Sequence, residues 1–379
     1  MFPAWPETFV VLPFFNASGD ARLDWVGESV AEEVRYTVAE TGILVLDRQR
    51  LKEACNRLGI RENSQLTRAS VIKVAEALDA GRIMYGRFEV LPPSSSGGKE
   101  SLRLAARIVD IGAMKQAPEF GETGAFEELA SVQDHLGWQA LRLLKPSAAP
   151  GEEEFRRQHP PVRVDAIENY VRGLLATGKQ RKHRFFAQAA RLDQRYWQPN
   201  FELGKLCWEE EDYRAAIEWF QKVQSSTPRY YEANFFLGLC RFYLSDYVGA
   251  QIAFELVAQA VPLNEVFNNL GAAQSRRDRP EALENFRKAV EGDSSDPDYH
   301  FNVAYALWKR GEFEEAATSF RAVLQRDPED SEATTMLGRC LKKTRYRPSG
   351  AGMEPLERVK EEYNEIVYRQ LKEALEPKK

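Results

Sequence analysis

The second half of the chain repeats itself at a period of roughly 34 residues, and this periodicity limits the folds that it can adopt. A small residue recurs at a nearly constant interval, at Gly204, Gly238, Gly271, Ala304 and Gly338. Two further registers keep almost the same interval: Ala216, Ala250, Ala282 and Ala316, and Phe220, Phe254, Phe286 and Phe320. Because these registers shift together, they indicate one structural unit repeated along the chain.

Each unit has the residue types of two packed helices. A small residue on the first helix allows close approach, and an aromatic ring on the second fills the remaining gap. Proline then ends the second helix at Pro228, Pro262 and Pro328. A single unit cannot bury its apolar face, so neighbouring units must stack. The pattern predicts an all-α superhelix.

This pattern resembles the tetratricopeptide repeat, a helix–turn–helix unit of about the same length. The resemblance covers residues 197–343, and residues 166–194 resemble a degenerate preceding hairpin, so we expect an array over residues 164–343. It implies a concave face, formed by the first helices, that binds a protein or peptide segment.

The resemblance also implies which residues line that groove. Its positions in the family correspond here to Phe201, Lys205, Trp208, Phe235, Leu239, Phe242, Asn268, Ala272, Ser275, Phe301, Tyr305, Trp308, Thr335, Arg339 and Lys342. Aromatic rings dominate, so we expect an apolar or aromatic partner segment, with an acidic residue near Arg339 and Lys342. The family's carboxylate clamp is not reproduced. Asn269 matches one of its asparagine positions, but Phe235 and Leu239 replace its first lysine and asparagine.

Residues 1–145 show alternating strand and helix patterns, which predict a mixed α/β sandwich in an α+β two-domain protein. Residues 9–15 form an apolar run of strand length, and apolar residues recur at helical spacing between Leu23 and Val38. Residues 83–91 and 102–111 predict a hairpin, and residues 126–144 predict a helix. Asp134 and His135 on that helix are interpreted as a solvated pair.

The start of this region also resembles a known family. The segment from Phe9 to Asp20, followed by Leu23–Asp24 and Gly27–Glu33, is similar to the TolB amino-terminal-domain-like family. That resemblance implies a module of the bacterial cell envelope, or one found in regulators and adenylate cyclases. It brings no catalytic residues.

Two segments flank the array. Residues 146–163 are rich in proline and predict a linker. Residues 344–379 predict a loop followed by a capping helix that starts at Pro355, with Val359 and Tyr363 on its apolar face. Alternatively, this helix folds into the groove or is donated to a neighbouring molecule as a homo-oligomer contact.

Composition narrows the possible functions. The 52 Lys and Arg residues against 57 Asp and Glu give a net charge of −5, which argues against broad nucleic-acid binding. The basic run 179–184 is interpreted as a solvated turn between helices. The four cysteines form no CxxC pair, no apolar stretch reaches membrane-spanning length, and no catalytic motif is found. We therefore expect no enzyme activity, cofactor or metal.

Two functions remain open. The first is a non-enzymatic interaction or scaffold protein that binds a partner segment in the groove, in a bacterial envelope assembly. The second is a sensor or regulatory module of a signalling or transcriptional regulator. We expect a periplasmic or envelope location if an upstream signal was removed, and a cytoplasmic one otherwise.

Overall fold

The computed structural model describes residues 8–61, 64–93, 99–346, 357–364, 367, 368, 371 and 375. The chain divides into two compact units, Met1–Asn200 and Phe201–Lys379. The first unit contains a mixed β-sheet with helices, whereas helices are the regular elements in the described residues of the second. The predicted fold class, an α/β region followed by a helical superhelix, is confirmed.

The elements of the first unit, in chain order, are β1 (Thr8–Val11), β2 (Phe15–Asn16), α1 (Asp24–Ala39), β3 (Leu44–Val45), α2 (Arg48–Leu58), α3 (Arg68–Ala77), β4 (Arg82–Leu91), β5 (Ser101–Asp110), β6 (Lys115–Gln116), β7 (Phe120–Ala125), α4 (Leu129–Leu144), α5 (Glu152–Gln158), α6 (Val164–Leu175) and α7 (Lys179–Leu192). Helix α8 (Gln198–Glu209) spans the boundary between the units. The second unit continues with α9 (Tyr213–Phe220), α10 (Tyr230–Tyr243), α11 (Tyr247–Ala260), α12 (Asn264–Ser275), α13 (Ala282–Gly292), α14 (Pro297–Lys309), α15 (Phe313–Arg326) and α16 (Ser331–Leu341).

The sheet of the first unit has the order β3-β1-β4-β5-β6, with β2 paired to β4 and β7 paired to β5. The pairings of β1 with β3 and β4 are parallel, whereas the predicted β4–β5 hairpin is antiparallel. The strand predicted over residues 9–15 is interrupted, since β1 ends at Val11 and β2 begins at Phe15. Pro13 lies between them and has no N–H to donate to a strand partner.

Helices α2 and α3 cover one apolar face of this sheet. Val10 and Ile83 from the strands pack with Leu51 of α2 and Val74 of α3, and all four side chains are buried. Gly59 ends α2 with a φ of 64°, a left-handed conformation that glycine adopts without steric cost.

In the second unit, the recurring glycines and phenylalanines meet as the repeat pattern predicts. A Cβ atom at Gly238 would lie 2.6 Å from Cε1 of Phe254, and one at Gly204 would lie 2.6 Å from Cε1 of Phe220. Gly271 stands in the same relation to Phe286. The first and second helices therefore approach closely only because the first helix carries no side chain at this position.

The turns within the hairpins repeat as well. The residue between the two helices has positive φ in each: 58° at Glu211, 62° at Ser245, 52° at Asp278 and 80° at Gly311. The helices α6 and α7 of the first unit share this geometry, since Gly178 has a φ of 90° and Gly173 faces the Phe186 ring. The preceding hairpin predicted for residues 166–194 thus has the repeat's local structure, although it belongs to the first compact unit.

Two segments predicted as connections contain helical residues. The predicted linker at 146–163 contains helix α5, which fits between Pro150 and Pro160 and buries Phe155. The basic run 179–184 is not the predicted turn but the exposed start of α7. The chain divides into its two compact units after Asn200, and the linker with its domain boundary stays a prediction.

Candidate functional site

Residues 357–364, which we call the C-terminal segment, lie along the first helices of the array and are not helical. The helix predicted from Pro355 is therefore wrong over these residues, while residues 355 and 356 lie outside the described part of the chain. The segment's backbone is bound by side chains of α12 and α14 rather than by its own helical hydrogen bonds. This accounts for the absence of helix in the segment.

Two asparagines each bind both backbone groups of one residue of the segment. Asn302 Nδ2 donates to the Arg358 carbonyl at 2.7 Å, and the Arg358 N–H donates to Asn302 Oδ1 at 2.8 Å. Asn269 binds Lys360 in the same way, with distances of 2.8 Å to the carbonyl and 2.7 Å from the N–H. Alternate residues of an extended chain present their backbone groups to the same side, so this spacing fits an extended ligand.

Asn268 completes what we call the asparagine cluster (Asn268, Asn269 and Asn302). Its amide also donates to the Arg358 carbonyl, at 2.7 Å, and its Oδ1 accepts from Asn302 Nδ2 at 2.7 Å. All three side chains are fully buried. A buried amide is costly unless its donors and acceptors are satisfied, and here the segment's backbone supplies several of the partners.

The first side chain of the segment enters a basic pocket. The buried Glu357 carboxylate accepts from Ser275 Oγ at 2.6 Å and pairs with Arg276 Nε at 2.5 Å. Lys309 Nζ lies 3.9 Å from the same carboxylate. A buried carboxylate requires such compensation, and these groups supply it to Glu357.

The two basic residues of the segment, Arg358 and Lys360, contact four carboxylates. We call these the acidic cluster, formed by Asp296, Asp298, Asp330 and Glu332. Arg358 pairs with Asp330 at 2.7 Å, with Glu332 at 3.0 Å and with Asp298 at 3.1 Å. Lys360 pairs with Asp298 at 2.6 Å and with Asp296 at 2.7 Å. The cluster brings four carboxylates together, and their mutual repulsion is relieved by the two cations of the segment.

The pKa values of these groups reflect the pairing. Burial by itself would lower the pKa of Arg358, but hydrogen bonds to Asp330 and Glu332 outweigh burial and raise it. Burial would likewise lower the pKa of Lys360, which its hydrogen bonds to Asp296 and Asp298 raise. At Asp330 burial acts in the opposite direction, yet the hydrogen bond from Arg358 leaves the pKa below its usual value. Each group is thus held in its charged form.

Several groove residues named from the sequence contact the segment. The guanidinium of Arg358 lies 3.8 Å from the centre of the Phe301 ring, a cation–π arrangement. Phe235 packs edge-to-face against Tyr363 with 5.2 Å between ring centres. Farther along α10, Tyr243, which was not among the predicted residues, donates to Glu361 at 2.5 Å.

Other predicted groove residues have contacts within the array. Phe201 packs against Phe220, Trp208 against Tyr213 and Phe236, and Phe242 against Tyr247. Lys205 lies over the Phe236 ring. Leu239, Ala272, Tyr305 and Trp308 are buried as well, whereas Thr335 and Lys342 are exposed.

The C-terminal segment makes mainly charged contacts, whereas the partner segment expected from the sequence is apolar or aromatic. Glu357, Arg358 and Lys360 make these charged contacts, and Tyr363 supplies one aromatic contact. Glu357 is paired by Arg276 and Lys309, so an acidic partner residue near Arg339 and Lys342 stays a prediction. Arg339 instead lies over the Trp308 ring, 5.8 Å from its centre, and Lys342 is exposed.

Sequence reasoning missed Asn302 and the acidic cluster, although a signal was present. Asparagine recurs at the repeat interval, at Asn200, Asn234, Asn268 and Asn302. The acidic pairs Asp296/Asp330 and Asp298/Glu332 have the same spacing. Packing alone does not require a polar residue at the same position of successive repeats. The repeated asparagines and acidic residues could therefore have been recognised as candidate binding residues.

The described residues contain neither a candidate membrane-spanning helix nor a candidate metal site. No helix among them is long and apolar enough to cross a membrane. Within the same part of the chain, no three His, Cys, Asp or Glu side chains are grouped so that they could hold a metal ion.

Comparison with known proteins identifies the class of the array. Residues 201–265, 272–331 and 304–342 match the family model described as tetratricopeptide repeat. The matched residues therefore form tetratricopeptide repeats, as their sequence pattern and hairpin geometry predict. Among curated proteins, no sequence matches the chain significantly.

Several solved structures resemble part of the chain. YrrB, described as a tetratricopeptide protein with an unusual peptide-binding site, is 21% identical over 41% of this chain and 82% of its own, with a TM-score of 0.37. MamA from Desulfovibrio magneticus RS-1 is 21% identical over 44% of this chain and 98% of its own, with a TM-score of 0.41. PilF from Pseudomonas aeruginosa is 20% identical over 43% of this chain and 76% of its own, with a TM-score of 0.38.

Proposed function

We propose that this protein is a non-enzymatic interaction scaffold whose repeat array binds an extended segment of a partner protein. The observation that carries the proposal is the double hydrogen bonding of Asn269 and Asn302 to the backbone of residues 358 and 360. Backbone contacts of this kind supply affinity for any extended segment in the correct register. Selectivity then comes from the side-chain pockets around them.

The composition of the groove supports binding rather than chemistry. The aromatic rings of Phe235 and Phe301 and the asparagine cluster offer packing and hydrogen bonds, and the charged residues are held in ion pairs. Buried aromatic and charged anchors are the residue types that dominate the energy of interfaces. The first helices thus present a recognition surface with separate basic and acidic parts.

The experiment uses a full-length variant, Arg358→Glu/Lys360→Glu, which we call the released variant. The new carboxylates face the acidic cluster, so its own segment no longer competes for the groove. Random peptides displayed on phage are selected on this protein. We expect binding peptides to be lost when Asn269→Ala/Asn302→Ala is added.

Asn234→Ala is the matched control. Asn234 occupies the position equivalent to Asn302 two repeats earlier, but its amide donates to Tyr230 of its own helix, at 2.9 Å. Peptides selected on the released variant should therefore still bind when Asn234→Ala is added. Selected peptides that bind equally well without Asn269 and Asn302, in a variant shown to be folded, would contradict the proposed function.

The first unit suggests the biological setting that we propose for this scaffold. The resemblance of residues 9–47 to the TolB amino-terminal-domain-like family supports a role in a bacterial envelope assembly. Crosslinking of the full-length chain in bacterial cells, followed by mass spectrometry, tests this role. Envelope proteins among the crosslinked partners support it, whereas a histidine kinase or transcription factor would favour a regulatory module.

A further inference from the structure

We propose that the partner segment carries the charge pattern of residues 357–360 and competes with the C-terminal segment for the groove. The pattern is an acidic residue, a basic residue directly after it and a second basic residue two positions later. This inference rests on the proposed function and adds the class of ligand and the means by which access is controlled. The ligand is thus a protein segment with the order acidic–basic–any–basic.

The acidic position is set by the pocket of Glu357. Its carboxylate is buried, bonded to Ser275 Oγ and paired with Arg276 Nε. An apolar or basic side chain there would remove the carboxylate that pairs with Arg276, and would leave Lys309 only its pair with the exposed Asp278, at 3.4 Å. The pocket therefore selects a carboxylate at the first position.

The basic positions are set by the acidic cluster. Arg358 contacts three of its carboxylates, including Asp330, whose side chain is buried, and it also stacks over Phe301. A planar guanidinium satisfies both contacts, so arginine is favoured over lysine at the second position. Lys360 fills the space between Asp296 and Asp298. With neither cation present, the four carboxylates face one another.

The asparagine cluster converts this charge preference into a sequence pattern. Asn302 fixes the backbone of residue 358 and Asn269 fixes that of residue 360. A shift by one residue would turn every side chain to the other face of the extended segment. A peptide with the same charges in another order cannot place an acidic side chain in the basic pocket and, at the same time, a basic side chain in the acidic cluster.

Through the same contacts, the protein's own C-terminal segment occupies the groove, which we call self-occupancy. Residues 347–356 connect the end of the array to the C-terminal segment, so its effective concentration exceeds that of a free partner at ordinary protein levels. A partner binds only when it displaces residues 357–364. Binding therefore exposes Glu357 and the backbone groups of residues 358 and 360.

The test uses a fluorescently labelled peptide with the sequence of residues 357–364, titrated with full-length protein and followed by fluorescence anisotropy. We expect the released variant to bind this peptide at least about tenfold more tightly than the wild-type chain does. The control peptide exchanges the first two residues, Glu and Arg, and keeps composition and net charge. We expect it to bind the released variant at least about tenfold more weakly.

The outcomes separate the inference from the proposed function. If both peptides bind the released variant equally and Asn269→Ala/Asn302→Ala abolishes binding, the charge pattern is overturned while the groove function stands. If that double substitution leaves peptide binding unchanged in a folded protein, the groove function itself fails. Equal binding by the wild-type chain and the released variant would overturn self-occupancy.

Sedimentation of the same proteins tests which molecule supplies the segment. A monomeric wild-type chain supports competition within one molecule. A wild-type dimer that the released variant does not form would mean that segments are exchanged between copies, and would overturn the intramolecular mechanism.

Discussion

Asn302 uses one carboxamide to satisfy both backbone groups of Arg358, donating to its carbonyl at 2.7 Å and accepting from its N–H at 2.8 Å. The two residues are 56 positions apart in the sequence. A single hydrogen bond contributes about 1 kcal/mol to stability, and an unmet buried donor costs more than a met one gains. This pair, repeated by Asn269 and Lys360, therefore explains why residues 358–360 are not helical.

The close contact between the repeat glycines and phenylalanines makes a specific prediction about Gly238. In Gly238→Ala, the added Cβ would lie 2.6 Å from Phe254 Cε1, so the ring must move. We expect a loss of about 1–3 kcal/mol in the free energy of unfolding, measured by urea denaturation. Gly338→Ala is the matched control, because no atom lies within 4 Å of its added Cβ. There the better helix propensity of alanine should give a gain of up to about 1 kcal/mol, and equal effects of the two substitutions would contradict the packing described.

The phenylalanine of each second helix is expected to carry much of the stability of its hairpin. Phe254 and Phe320 are fully buried, so replacing either by alanine should destabilise the protein by about 3–5 kcal/mol. Ile252 lies on the same helix as Phe254 but is 60% exposed. Ile252→Ala should change the unfolding free energy by less than about 0.5 kcal/mol. Unchanged thermal melts for the phenylalanine variants would show that the repeat register is wrong.

The first unit contains a pair of carboxyl groups that makes its stability depend on pH. Glu33 of α1 and Asp134 of α4 share a hydrogen bond, so the interpretation of Asp134 and His135 as a solvated pair is wrong. Burial, together with the nearby charges of Glu40 and Glu32, raises the pKa of Glu33 from 4.5 to about 7. The folded state therefore holds a proton that the unfolded state releases between these values, and stability falls as the pH rises through this window.

We expect the thermal midpoint of the protein to fall between pH 5 and pH 8, with a loss of about 1–3 kcal/mol from this pair. Glu33→Gln keeps the hydrogen-bonding shape without a charge, so it should stabilise the protein at pH 8 and flatten the pH profile. Glu76→Gln, on the exposed face of α3, is the control and should leave the profile unchanged. A Glu33→Gln profile as steep as that of the wild type would exclude this pair as the source.

The division after Asn200 predicts how fragments behave. Helix α1 packs against α6 in the first unit, so a fragment of residues 1–150 loses part of its own packing, whereas residues 1–200 keep it. We expect the longer fragment to unfold cooperatively and the shorter one to melt at a lower temperature, as measured by circular dichroism. Equal melting temperatures would place the domain boundary in the predicted linker instead.

The repeat array could be predicted from the sequence because its determinants are periodic. The contact of Gly238 with Phe254 belongs to one hairpin, and the same pair of residue types recurs at a constant interval. The C-terminal segment could not be predicted in this way. Its apolar residues Val359 and Tyr363 have helical spacing, and only contacts with residues far away in the chain, such as Asn302, make an extended form preferable.

The charged contacts of the C-terminal segment could not be predicted for a related reason. Groove positions carried over from the family emphasise rings, and Phe235 and Phe301 do contact the segment. Asp298 and Asp330 lie at the starts of α14 and α16, where acidic residues are common simply because they favour helix N-termini. Their second role, pairing with Arg358 and Lys360, is evident only from the position of the C-terminal segment in the structure.

Hydrogen exchange measures whether the asparagine cluster holds the C-terminal segment in the groove. In the wild-type chain, the N–H groups of Arg358 and Lys360 donate to Asn302 and Asn269, so we expect the peptide covering residues 357–364 to exchange slowly. In Asn269→Ala/Asn302→Ala its exchange should accelerate at least about tenfold, while in Asn234→Ala it should match the wild type. Exchange of these residues in the wild-type chain at the rate of an unstructured peptide, or equal protection in the folded double variant, would show that the asparagines do not hold the segment.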